Sequence, residues 1–139
     1  MKTAWKKVLV TGAAGFIGSR ICELLAGADT AVVAIDNFDP YYDVSLKRYR
    51  WDKLQPLDHV QCQELDITDV PALEALFEVH SFDAVVNMAA MAGVRFSIEN
   101  PAKYFKVNAQ GFVGLLETMK KYGVTQFVQA STSSLYAGL

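Results

Sequence analysis

The stretch TGAAGFIG (residues 11–18) limits what this chain can become more than any other. A short valine-rich run, KVLVT (7–11), leads into it, and FIGSRICELLAG (16–27) follows, with Phe16, Ile17, Ile21, Leu24 and Leu25 at helical spacing. A glycine triplet between a buried strand and a helix is the setting in which a dinucleotide-binding turn forms. Gly12 permits the sharp turn off the strand, Gly15 lets the backbone approach a pyrophosphate, and Gly18 lets the helix lie close to the strand. The helix start then offers free N–H groups and a partial positive charge to an anion. Phe16 and Ile17, in that first turn, join the three glycines as candidate cofactor contacts. A second apolar run, TAVVAID (30–36), ends in Asp36, 18 residues beyond Gly18. A carboxylate there accepts hydrogen bonds from an adenosine ribose and repels a 2′-phosphate, which favours NAD over NADP.

The remaining chain alternates. Residues 43–54 predict a helix, HVQCQEL (59–65) an edge strand, and DVPALEALFEV (69–79) a helix capped by Asp69. FDAVVNMAA (82–90) predicts a fourth strand, residues 101–121 one long helix ended by Gly123, and TQFVQAS (125–131) a fifth strand. Alternating strands and helices point to a parallel sheet covered on both faces, a Rossmann-type doubly wound α/β fold with expected strand order 3-2-1-4-5. No linker or repeat divides residues 1–139, so they are expected to form a single NAD-binding domain. With 52% hydrophobic residues the chain can bury a core, and a formal charge of −2 argues against a nucleic-acid partner. The basic cluster LKRYR (46–50) reads as a solvated helix face. Cys22 and Cys62 lack metal-ligand spacing and read as reduced core thiols of a cytoplasmic protein, with no metal site. Neither a signal peptide in MKTAWKKVLV nor a membrane span is expected.

The glycine spacing is GxxGxxG rather than GxGxxG, and it resembles the extended short-chain dehydrogenase/reductase family of nucleotide-sugar epimerases and dehydratases. DNFDPYYDVSLKRYR (36–50) and AAMAGVRFSIENPAKYFKVNAQGFVGLLE (89–117) are similar to its UDP-glucuronate 4-epimerase branch, and ASTSSLY (130–136) resembles the family's Ser/Thr-rich end of the fifth strand. Met91 stands where that branch carries Gln, and Ala137 where a Gly follows the Tyr.

The resemblance implies roles for particular residues. Asp36 and Asn37 would hold the adenosine ribose, and Asp66 and Ile67 would flank the adenine. Met88, Ala89 and Ala90 would run along the cofactor, with Asn108 behind the site. Thr132 would relay a proton to the sugar C4 oxygen, with Ser131, Ser133 and Ser134 beside it. Arg95 could meet a uronate carboxylate or form a surface ion pair, and the sequence leaves both open. The family's chemistry is oxidation at the sugar C4 by NAD, rotation of the 4-keto sugar and return of the hydride. Its base is the Tyr of a Tyr-x-x-x-Lys pair, and no such pair follows Ser131. The chain is therefore expected to be an N-terminal portion, inactive alone, lacking the base and the sugar-binding domain. A homo-oligomer is expected through the long helix 101–121 or the edge strand 5. A stand-alone NAD-binding regulatory module, and a portion of a nucleotide-sugar decarboxylase or dehydratase, remain open as alternatives.

Overall fold

The computed structural model describes residues 4–138. Met1–Thr3, where the segment read for a leader begins, and Leu139 lie outside the described residues. The strands are β1 (Lys7–Thr11), β2 (Ala31–Asp36), β3 (Val60–Glu64), β4 (Ala84–Asn87) and β5 (Gln126–Gln129). They form one parallel sheet in the order β3-β2-β1-β4-β5, as the alternation predicts. The helices are α1 (Phe16–Ala26), α2 (Val44–Leu54), α3 (Val70–Val79), α4 (Val94–Glu99), α5 (Pro101–Tyr104) and α6 (Phe112–Lys121). A π-helical segment, Phe105–Gly111, joins α5 to α6, and a 3-10 turn, Ser133–Tyr136, follows β5.

Strand periodicity divides the core in two. Leu9, Val33, Ile35 and Val85 face one side and meet Leu73, Leu76 and Phe77 of α3 and Leu115 and Met119 of α6. Val8, Val10, Val32, Ala34 and Val86 face the other side, with Cys22 of α1 and Trp51 and Leu54 of α2. Neither side meets water, so β1, β2 and β4 carry apolar residues at successive positions. Each fully buried Leu or Ile contributes roughly 1.5–3 kcal/mol. The edge strands β3 and β5 bury little, which matches their mixed polarity.

Three expectations need correction. The helix α1 does not bury Phe16, Ile17 and Leu24, which are largely exposed; its inner face is Gly18, Ser19 and Cys22. The cause is the closeness of helix to strand, since a Cβ on Gly18 would overlap the Gly12 carbonyl oxygen and approach Ala13 Cα to 3.1 Å. Only small residues fit that seam. The helix expected over 101–121 is helical throughout but runs as α, π and α, and a further short helix, α4, precedes it after Gly93. LKRYR is not simply a solvated face: Lys47 is buried, Arg48 stacks 3.6 Å above the Phe38 ring, and Arg50 reaches the Ala14 carbonyl at 3.4 Å.

Replacing Gly18 with Ala should destabilise the chain by about 1–3 kcal/mol, the usual cost of overpacking a tight contact. Urea unfolding measures this. A midpoint equal to that of the parent would contradict the contact.

Candidate functional site

Strand order reverses at β1, with β2 on one side and β4 on the other, so the loops leaving β1 and β4 part and open a crevice at the carboxyl end of the sheet. Gly12 makes the first of these loops. Its φ is +64°, and a Cβ would stand 2.8 Å from Ala89 N and from Met88 C of the second loop. Glycine is thus required both by conformation and by space. The first turn of α1 follows at the crevice, and its cap residue Gly15 supplies no side-chain partner. The N–H groups of Phe16, Ile17 and Gly18 therefore have no intrahelical acceptor.

Below the crevice lies a polar chain that the sequence reading did not single out. The Thr11 hydroxyl donates to Asn87 Oδ1 at 2.5 Å and accepts from Met88 N at 3.2 Å and Ala89 N at 3.1 Å. Asn87 Nδ2 donates to Gln129 Oε1 at 2.8 Å, which carries the link across β1, β4 and β5. Thr11 and Asn87 are buried polar residues in strands of otherwise apolar character, and that interruption is the signal a sequence reader could use.

Two depressions share the crevice. The first is lined by Gly12, Gly15, Asp36, Asn37, Asp66 and Ile67, among others, together with Met88, Ala89 and Ala90. Asp36 is buried; its Oδ2 accepts from Ala14 N at 3.0 Å and its Oδ1 from Phe38 N at 2.8 Å. A carboxylate has about four acceptor positions, so about two remain for a pair of hydroxyl donors. Asn37 donates to Asp66 Oδ2 at 2.9 Å, and Thr68 donates to Asp66 Oδ1 through both N and Oγ1 at 2.8 Å. Burial pushes the Asp66 carboxyl upward, but these donors and the Lys106 charge outweigh it and hold the group below its ordinary 3.8. The cleft therefore combines a glycine cradle, an unclaimed helix start and a carboxylate with open acceptor sites. That donor and acceptor set fits an adenine dinucleotide.

The second depression lies beside the first, and Ala89, Ala90, Met91 and Val107 line both. Ser131, Thr132 and Ser134 reach it, as does Asn108, but Ser133 is not part of its lining. Thr132 Oγ1 caps the following turn by accepting from Ser134 N at 3.1 Å. Asn108 sits in the π-helical segment and clamps Met91, accepting from its N–H and donating to its carbonyl, both at 2.8 Å. Phe16, Ile17 and Gly18 lie at the helix start without lining either depression, and Arg95 is exposed on α4 and lines neither, although Val94 and Ser97 of the same helix line the second. Tyr49 and Lys53 do stand at Tyr-x-x-x-Lys spacing, but both are exposed on α2, with Lys53 Nζ 4.1 Å above the Tyr49 ring, and neither lines the two depressions of the crevice. Cys22 and Cys62 are free, and burial pushes their thiols up to about 12 and about 11. No helix among the described residues is long and apolar enough to cross a membrane.

Residues 8–139 match the NAD dependent epimerase/dehydratase family. A UDP-glucuronate 4-epimerase of Thermodesulfobacterium geofontis is 48% identical over 130 residues, covering 94% of this chain and 40% of the relative. UDP-glucuronate 4-epimerase 4 of Arabidopsis thaliana is 45% identical over 130 residues, covering 93% of this chain and 30% of the relative. Among solved structures, a mutant UDP-glucuronic acid 4-epimerase from Bacillus cereus, in complex with NAD and UDP-4-deoxy-4-fluoro-glucuronic acid, is 35% identical. It superposes with a TM-score of 0.84 over 94% of this chain and 41% of that one. The chain thus spans well under half the length of these relatives.

Asp66 gives the site a pH signature. Its carboxyl is held below 3.8 in the fold, so its stabilising contribution is complete above that pH and is lost as pH falls through the folded value. Asp66→Asn should therefore show a shallower fall in melting temperature below about pH 4 than the parent, checked by thermal melts across pH 2–7. Parallel profiles would contradict the assignment.

Proposed function

The chain belongs to the NAD dependent epimerase/dehydratase family, and on that premise we propose that residues 1–139 are the NAD-binding portion of a nucleotide-sugar 4-epimerase acting on UDP-glucuronate. The observation that carries the cofactor reading is the meeting, in one cleft, of the Gly12 turn, the open start of α1 and the Asp36 carboxylate. The sugar reading is supported by the names of the relatives at 45–48% identity. NAD supplies the acceptor and donor of hydride at the sugar C4.

The chain's own residues bind and orient. Asp36 receives the ribose hydroxyls, Asn37 is held beside it by Asp66, and Ile67 forms an apolar wall for the adenine. Asn108 sets the backbone at Met91, where the two depressions adjoin. Thr132 holds a proton for the C4 oxygen, with Ser131, Ser133 and Ser134 as neighbours on the same segment. The general base of the family is a tyrosine paired with a lysine, which no residue after Ser131 supplies, so the 139-residue chain binds cofactor without turning over sugar. We place the protein in the cytoplasm as a homo-oligomer. Exposed Phe105 and Val113 on the long helix, or Val128 on β5, supply the contact.

Isothermal titration should show NAD binding, at least about tenfold tighter than NADP, because the Asp36 charge opposes a 2′-phosphate. Asp36→Ala should lose affinity for NAD and narrow the difference from NADP. Equal affinity of the parent for both nucleotides would remove Asp36 from the ribose site. Incubated with NAD and UDP-glucuronate, the chain should yield no UDP-galacturonate by chromatography, since general base catalysis worth roughly 10²- to 10⁴-fold is missing. Turnover by the pure chain would show that its own residues supply the base.

A further inference from the structure

The first depression is acidic. Asp36, Asp39 and Asp66 line it, and Lys47 is the one cation among its described lining residues. A dinucleotide carries a pyrophosphate, so three carboxylates around its berth oppose it unless their charge is offset. Lys47 is placed to do so. It stands in the first turns of α2, whose start is fixed by Asp43 accepting from Ser45 N at 2.8 Å and Ser45 Oγ at 2.6 Å. Its ammonium lies buried, 3.8 Å from Asp36 Oδ1, and donates to the Asp39 carbonyl at 2.9 Å. The Asp39 carboxylate in turn pairs with Lys103 Nζ at 2.7 Å, from α5. Cations and carboxylates therefore alternate along Lys103, Asp39, Lys47 and Asp36, with Lys47 joined to Asp39 through its backbone carbonyl, and the chain ends where Asp36 Oδ2 grips Ala14 N in the glycine turn. A buried carboxylate facing a buried ammonium loses its counterion if the lysine is removed, and both its charge and its orientation are then uncompensated.

We propose that Lys47 is a positioning residue of the ribose subsite, holding the Asp36 carboxylate in its accepting orientation and offsetting its charge so that an acidic cleft takes an anionic dinucleotide. Lys47 acts through Asp36 and is itself steadied by Asp39 and Lys103. This rests on the reading that the cleft holds NAD.

The test is a double-mutant cycle read by isothermal titration of NAD into the 139-residue chain. Lys47→Gln removes the charge and carries a neutral donor on a side chain one bond shorter; it should weaken NAD binding about tenfold, and Lys47→Arg should restore affinity to within about threefold of the parent. In the Asp36→Asn background, Lys47→Gln should cost less than about threefold, because the group it positions is gone. Equal losses in both backgrounds, or no loss in the parent background, overturn the proposal. Should Lys47→Gln melt below the assay temperature, Lys103→Met is titrated instead. It should weaken NAD binding about threefold in the parent and leave it unchanged in an Asp39→Asn background, and an unchanged affinity in the parent overturns the proposal. If the unaltered chain fails to bind NAD, the cofactor reading falls and this inference with it. If it binds and the cycle is additive, the cofactor reading stands and only the role of Lys47 is lost.

Discussion

The seam between β1 and α1 is where the structure is least free. Gly18 lies against the Gly12 carbonyl so closely that no side chain could stand between them. The helix therefore rests on backbone, with Ala13, Ala14 and Cys22 filling what little volume remains. That closeness aims the start of α1 at the crevice instead of past it. It also forces Phe16 and Ile17 outward, because their side chains have no room below. The same turn accepts the loop after β4 at contact distance, so three segments converge on Gly12.

Polar groups hold the floor of that convergence. Thr11 has one hydroxyl and uses it three times, once as donor and twice as acceptor. In a buried setting each such bond is electrostatically stronger than in water, and each unmade one is costly, so the arrangement permits few alternatives. Asn87 passes the constraint to Gln129 at the edge strand. The cleft floor is thereby tied across three strands, and the loops above it start from fixed points. A binding site that rests on loops gains its geometry from such anchoring.

The two depressions meet along Ala89, Ala90 and Met91, where small side chains keep the partition thin. The proposed function needs such closeness, since reacting atoms must lie within about 3–3.5 Å. The π-helical turn contributes here: it carries Asn108, whose carboxamide closes on both polar groups of the Met91 backbone. A π-turn inside a helix commonly accompanies a functional site. On the far side, Gly111 gives the helix its close contact with Ile67 and Thr68, which brings the Ile67 wall of the first depression and the helix into one packed unit.

Much of this was legible in the residues alone. Burial on two faces leaves an uninterrupted apolar run, so β1, β2 and β4 announce themselves as interior strands. The glycine triplet and Asp36 state a local requirement that few other residues meet. Asp43 and Asp69 cap their helices as short polar residues at such places do. These signals are local, because each reports the surroundings of its own few neighbours. What the tertiary structure decided was pairing. Lys47 looks like one more surface cation in LKRYR until the sheet carries Asp36 and the following loop carries Asp39 to it. Asn108 is an ordinary helical polar residue until Met91 lies across from it. The segment 91–100 carries little periodicity, and in the fold α4 is flanked by the Tyr41–Phe96 ring contact, centroids 4.9 Å apart, and by Tyr104 bonding the carbonyls of Ala92 and Gly93. A buried charge or amide is stable only where a distant partner meets it, and the identity of that partner is a property of the folded chain, not of any window of its sequence.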